Sequence, residues 1–300
     1  MHRAALSLFS LPAFALSLAA ATFTGHDGKT VQIDNPQRVV ALNTSTFEIL
    51  QDLGEDPRIA GVDTSTFPFI PEADARARGI ANFGHPYRPN IEAIIAARPD
   101  LVIAPADSLR DATPEQLRSA KIPVLILEPS AQDGIDGLKR RIAVIAAALG
   151  KQAEGEALIK KIDARMTAIR TANAVIPKKK NVFFLYTHGP GKAFIYGRDT
   201  GSHWLIELAG AHNAADFTTG TKPLTPEALV QASPDAFILL ERGVAAMGGM
   251  EAVFTIPGVN LTPAGRTRTA FTVDNSIRWI GTRFLDHVEK LHRELYPDSK

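Results

Sequence analysis

Residues 138–174, LKRRIAVIAAALGKQAEGEALIKKIDARMTAIRTANA, decide how the chain is divided. Apolar residues recur every three or four positions, at Leu138, Ile142, Ile145 and Leu149 and then at Leu158, Ile162, Met166 and Ile169. That spacing lays each set along one face of an α-helix. Gly150 and Gly155 lie between the sets, and a glycine inside a helix costs roughly 1 kcal/mol against alanine. The pattern predicts a shorter helix followed by a long one from about Glu154 to Thr171, stopped before Pro177.

On either side of this stretch the same phrase is written. Residues 90–103 read NIEAIIAARPDLVI and residues 225–238 read TPEALVQASPDAFI, so that Glu92 matches Glu227, Pro99 matches Pro234 and Asp100 matches Asp235. In each copy a short helix ends near a Pro-Asp and an apolar strand follows. A single duplication at so long a spacing is not a solenoid. It describes two lobes of similar build joined by a helix.

The strands support this reading. Arg38–Leu42, Ile59–Val62, Val124–Leu127, Val182–Tyr186, Ala193–Tyr196 and Thr269–Val273 are short and apolar, and they alternate with helical patterns. Asn43-Thr44-Ser45-Thr46 supplies cap residues for a helix that ends at Gly54. Continuous apolar strands separated by helices predict an α/β fold of two Rossmann-like lobes, with mainly parallel sheets of four or five strands covered on both faces. The expected division is a signal segment over 1–21, an N-terminal lobe over 22–137, the linker helix region over 138–176 and a C-terminal lobe over 177–300. A last helix is expected from about Thr282 to Leu295. Residues 63–89, rich in proline, glycine and aromatics, read as one irregular loop at the strand ends, where ligands meet open α/β sheets. Residues 243–249 are a glycine-rich stretch.

Composition narrows the function. The chain has 300 residues, 45% hydrophobic and 22% charged, with a formal net charge of +1, and its basic residues are dispersed apart from short runs such as Lys178-Lys179-Lys180. Nothing there resembles a nucleic-acid patch. His2 and Arg3 precede an apolar run ending in Ala19-Ala20-Ala21, the layout of a secretory signal cleaved near Ala21. No cysteine occurs, which excludes disulfides, thiolate metal sites and a lipid-modified cysteine anchor. The expectation is a free monomer in a Gram-negative periplasm.

Catalytic signatures are missing. There is no His-Glu-x-x-His, no Gly-x-Ser-x-Gly and no Walker loop, so the chain reads as a non-enzyme. His203 and Glu207 share a helical spacing, and Ser202 reads as an N-cap. His85, in the sequence Gly84-His85-Pro86-Tyr87-Arg88, and His188, in Thr187-His188-Gly189, occupy corresponding irregular loops. Imidazoles and a phenol on facing loops are able to ligate a haem iron, with nearby arginines pairing its carboxylates. Glu92 and Glu227 place one carboxylate at the same position on each lobe, either as first-turn stabilisers or as docking charges for a symmetric partner.

Several further phrases carry a resemblance: Gly197-Arg198-Asp199-Thr200-Gly201, Leu208-Ala209-Gly210, Lys222-Pro223-Leu224 and residues 261–266, LTPAGR. With them the chain resembles the periplasmic substrate-binding proteins of ABC importers whose two lobes are joined by one long helix and which carry haem, ferric siderophores or cobalamin; the wording is most similar to the haem branch. The resemblance implies capture of haem (hemin) in the interlobe cleft and delivery to an inner-membrane permease dimer, with Glu92 and Glu227 meeting permease arginines. It also implies an N-lobe iron ligand directly after a glycine. Here Gly84 is followed by His85, with Tyr87 and Arg88 behind, so either His85 or Tyr87 takes that role, with His188 as a second ligand. Arg88 and Arg278 are the candidate carboxylate partners. The alternatives are the same role for a siderophore or corrinoid, or a periplasmic haem-binding protein without a transporter.

Overall fold

The computed structural model describes residues 21–187 and 193–297. The signal segment and His188 therefore lie outside the described residues. The first elements are a hairpin, β1 (Ala21–Thr24) and β2 (Thr30–Ile33). Then come β3 (Val39–Ala41), α1 (Thr44–Asp52), β4 (Ile59–Val62), α2 (Glu72–Arg78), β5 (Ala81–Asn82), β6 (Gly84–His85), β7 (Arg88–Pro89), α3 (Ile91–Ala97), β8 (Leu101–Pro105), α4 (Thr113–Ser119) and β9 (Val124–Leu127). The order β5-β4-β3-β8-β9 makes one fully parallel sheet.

Residue parity explains why those strands are apolar throughout. Val39, Ala41, Leu101, Ile103, Leu125 and Leu127 pack on one face, towards α1 and the linker helices. Val40, Leu42, Val102, Ala104, Val124 and Ile126 pack on the other, with Ile94 of α3 and Leu117 of α4. A strand buried on both sides has no polar face to show.

The linker comprises α5 (Gly134–Ala148) and α6 (Gln152–Ala174). Gly150 makes the break between them at φ 69°, whereas Gly155 lies inside α6. A Cβ on Gly155 would stand 2.5 Å from that of Ala146, so this glycine lets the two helices touch. At 23 residues α6 is about 35 Å long, enough to run from one lobe to the other.

Beyond it lie β10 (Asn181–Thr187), β11 (Ala193–Tyr196), α7 (Gly201–Leu208), β12 (His212–Asn213), β13 (Thr221–Pro223), α8 (Pro226–Ala232), β14 (Ala236–Leu240), α9 (Glu241–Met247), α10 (Met250–Val253), α11 (Pro263–Thr267), β15 (Ala270–Val273) and α12 (Phe284–Leu295). The second sheet has six strands in the order β13-β11-β10-β14-β15, with β12 also pairing β10. Only β11 and β13 join antiparallel.

Three expectations change. Residues 63–89 are not one loop but contain α2, β5 and the β6–β7 hairpin, elements too short to carry a periodic signal. The second sheet has six strands rather than four or five, because β12 and β13 are too short to read as strands, and the glycine-rich stretch forms α9, with Gly243 inside it and Gly248 and Gly249 following it at positive φ. Thr200, not Ser202, caps α7: its hydroxyl accepts from the amide of His203, while Ser202 is already inside the helix.

The duplicated phrase folds the same way twice. Asn90 caps α3 and Thr225 caps α8, each side chain accepting from an amide three residues on. Arg98 and Ser233 end the two helices in left-handed conformation, at φ 47° and 44°. Asp100 accepts from the amides of Gln37 and Arg38, and Asp235 from that of Asn181, so each aspartate ties a neighbouring strand start to the repeat.

Candidate ligand cleft

The loops that follow β5, β8, β9 and β15 leave the carboxyl ends of both sheets and meet between the lobes, the position where open α/β sheets take ligands. The hairpin β6–β7 projects there. Its root is fixed by Phe83, which is buried and packs directly on Gly61, and by Asn82, whose Oδ1 accepts from Thr64 Oγ1 and Gly84 N. Gly84 needs its φ of 86°, a conformation that side chains with a Cβ rarely adopt. Pro86 and Tyr87 form the two-residue tip, and the Tyr87 amide donates to His85 Nδ1 at 3.2 Å.

Tyr87 meets the opposite lobe. Arg278 Nη2 donates to its Oη at 3.1 Å, and its ring lies 6.3 Å from that of Trp279. Both partners come from a turn after β15, residues 274–283. Arg278 also stands 5.4 Å over the ring of Tyr186 and 5.1 Å over Trp279. Arg242, at the start of α9, donates to Tyr186 Oη at 2.8 Å, and Arg110, after β8, lies 4.9 Å over the Tyr87 ring. Tyr186 and Tyr196 contact edge to face at 5.2 Å. Three of the four tyrosines in the chain thus gather around one guanidinium.

The electrostatics are one-sided. Among the described residues, Arg110, Arg242 and Arg278 form no ion pair with a carboxylate. Burial works against the charge of Arg278, yet the phenols of Tyr87, Tyr196 and Tyr186 hold its pKa above the ordinary value. Burial also raises the pKa of Tyr87, with Arg278 pulling the other way, so the phenol keeps its proton at neutral pH. Three guanidinium groups without counter-charge, set among aromatic faces, suit a large planar or apolar ligand carrying carboxylates.

The expected residues divide. Tyr87 and Arg278 are brought together. His85 sits on the same hairpin, exposed, with its ring 5.7 Å from that of Tyr87. Arg88 pairs with His85 across the hairpin and is exposed. Glu92 and Glu227 lie apart from the cleft cluster, exposed in the first turns of α3 and α8. His203 and Glu207 do not face a metal: His203 contacts Asn213, and Glu207 accepts from the Asn213 amide. Among the described residues no cluster of three or more His, Asp or Glu side chains is placed to hold a metal ion. Sequence reading missed Arg110, Arg242, Tyr186 and Tyr196. The tyrosines were hidden because their strand positions look like core, and Arg242 because it sits beside glycines.

The periplasmic binding protein family matches residues 39–277. The chain belongs to that family. Among solved structures, this family member is similar to the periplasmic haem-binding protein RhuT from Roseiflexus sp. RS-1, with 31% identity, a TM-score of 0.80 and coverage of 88% of this chain and 99% of that one. It is also similar to the periplasmic haem-binding protein BhuT in complex with two haems, at 30% identity and a TM-score of 0.78, over 88% of this chain and 99% of that one. A cobalamin-binding protein of Halobacterium salinarum is 35% identical over 207 residues, 68% of this chain, and the match spans 53% of that protein's length. All these relatives are binding proteins, and the two-lobed fold is the one expected from the linker stretch.

Proposed function

We propose that this chain is the extracytoplasmic receptor of an ABC importer and that it captures haem between its lobes. The observation that carries the reading is the cross-cleft contact of Arg278 with Tyr87, surrounded by guanidinium groups that no carboxylate among the described residues neutralises. A phenol oxygen that accepts from an arginine retains a lone pair for a ferric iron, and the adjacent positive charge favours the phenolate that forms when iron displaces the proton. Arg110 and Arg242 are free to pair the ligand's carboxylates, and Trp279 and Tyr186 supply faces for a flat macrocycle. Tyr87 is preferred over His85 as the N-lobe ligand because it is the one held from across the cleft. His188, outside the described residues, remains a candidate second ligand.

The delivery half of the reading rests on Glu92 and Glu227. Each lies exposed at the start of a capped helix, at matching positions of the repeat, and neither is engaged in an ion pair among the described residues. Two such carboxylates suit arginines on a symmetric permease dimer. Export through a cleaved signal over 1–21, lobes over 22–137 and 177–300 with 138–176 between them, and a monomeric state complete the proposal.

A hemin titration followed at the Soret band tests it, in the unmutated chain and in Tyr87→Phe, His85→Ala and His188→Ala. A saturable shift that Tyr87→Phe alone abolishes establishes the cargo and its ligand. If hemin produces no shift and cyanocobalamin or a ferric chelate binds instead, haem is the wrong cargo, as the cobalamin-binding relative would then explain.

A further inference from the structure

The turn that carries Arg278 and Trp279 is held at its far end by the other lobe. Glu48, on α1, has a side chain only 4% exposed. Its Oε2 accepts from the backbone amide of Arg283 at 3.1 Å and lies directly against Gly281, where a Cβ would collide with it. The Arg283 guanidinium stands 4.0 Å from Oε1 and donates to Gln51 Oε1, one turn along α1, at 2.7 Å. The amide of Gly281 donates to the carbonyl of Trp279, so the residue touching Glu48 is bonded to the residue lining the cleft.

The other charged groups facing Glu48 come from two elements. His287 lies on α12, one turn after Arg283, and Asp274 heads the turn; the two pair at 3.2 Å, with Ser276 hydrogen-bonded to the same imidazole. Glu48 is therefore the acidic anchor between α1 and residues 281–283, with one guanidinium at the limit of ion-pair distance.

We propose that Glu48 is a positioning residue for the cleft: its protonation state sets how firmly residues 274–283 are held against the N-terminal lobe, and through Arg278 and Trp279 it makes ligand capture pH-dependent. The inference rests on the cleft described above being the ligand site. Burial raises the Glu48 pKa to about 7, with the Arg283 amide, the Arg283 guanidinium and His287 lowering it by less. Neutral Glu48 accepts the Arg283 amide in a dry contact. Ionised, it loses its hydration in a site where the Arg283 amide and a guanidinium 4.0 Å away offset that cost only in part, so the contact is held less firmly. The hold is tight below about pH 7 and loosens above it, so affinity falls as pH rises.

The chain has two tryptophans, and Trp204→Phe leaves Trp279 as the sole tryptophan, excited selectively at the red edge where tyrosine does not absorb. In that background, without ligand, Trp279 emission followed between about pH 5.5 and 8.5 is expected to show one transition near neutrality that Glu48→Gln removes. A transition that persists in Glu48→Gln overturns the proposal. Carbon-13 NMR of the Glu48 carboxyl in the unmutated chain needs no substitution: a midpoint near 7 is expected, and an ordinary carboxylate midpoint overturns it. These two measurements contain no ligand, so they succeed or fail independently of the haem reading. Hemin affinity is expected to weaken from about pH 6 to pH 8 by at least about threefold more in the unmutated chain than in Glu48→Gln. Equal weakening in both breaks the link to capture.

Discussion

Arg278 is held among phenols rather than against a carboxylate, and that choice of partner makes the cleft receptive. A charge already neutralised by aspartate would have to break an ion pair to meet a ligand. Arg278→Ala removes the charge that would pair a ligand carboxylate or support a Tyr87 phenolate; a charge-assisted hydrogen bond is worth about 1.5–3 kcal/mol, so hemin affinity is expected to weaken roughly ten- to a hundredfold. Soret titration checks this. Arg278→Lys should recover only part of the loss, since an ammonium cannot span three rings and a phenol oxygen as a planar fork does. Tyr87 was legible in the sequence because it stands in a short irregular segment behind Gly84, and Arg278 because the C-terminal segment that carries it departs from the wording of the family the chain resembles. Tyr186 and Tyr196 were not, because a strand residue that points its ring into a core and its hydroxyl out of it has the same pattern as any core residue.

At the scale of the element, the two copies of the repeat are built by local chemistry. Asn90→Ala and Thr225→Ala each remove a side-chain cap and are expected to cost about 1 kcal/mol, read from urea midpoints, with hemin affinity unchanged. Gly155 answers to packing instead. Gly155→Val forces a side chain into Ala146 at the contact between α5 and α6, with an expected cost of about 1–3 kcal/mol in the same measurement. Spacing alone placed Gly155 in the first turn of the long helix and gave no reason for a glycine there. Only the neighbouring helix shows that its missing side chain is what lets α6 continue. The hairpin carrying Tyr87 was equally hidden, as two strands of two residues leave no period to detect.

The whole molecule is tied together by one apolar cluster that runs from α1 and the first sheet through α5 and α6 to α7 and α12. Trp204 of α7 adds to it by donating its indole N–H to Ala131, against Gly134 at the start of α5. Lobe contact is thus part of the core, and its charges govern how stability follows pH. Because Glu48 has a raised pKa, about 7 against 4.5, the folded state retains a proton that the unfolded chain has released. Its contribution is complete below the unfolded value and is lost as pH rises from 4.5 through 7, by an amount on the order of 3 kcal/mol. Asp274 acts in the opposite sense. Burial would raise its pKa, but hydrogen bonds from His287 and Ser276 outweigh that and lower it to about 2, so its contribution is lost as pH falls from 3.8 through 2. Urea midpoints at pH 5 and pH 8 should therefore differ in the unmutated chain and nearly coincide in Glu48→Gln. At the same scale, Glu92→Lys combined with Glu227→Lys should stop hemin delivery to permease-containing vesicles while leaving the Soret titration intact.

The sequence by itself determined the two lobes, the helix between them and the duplicated helix-and-strand unit, because periodicity, caps and breakers act within a few residues along the chain. It also marked Tyr87 and Arg278. What only the tertiary structure decided is that these two, 191 positions apart, share a hydrogen bond, that Arg110 and Arg242 join them, and that Glu48 is sealed beneath Gly281. Burial and the company of distant charges are properties of the packed molecule, and no local pattern encodes them.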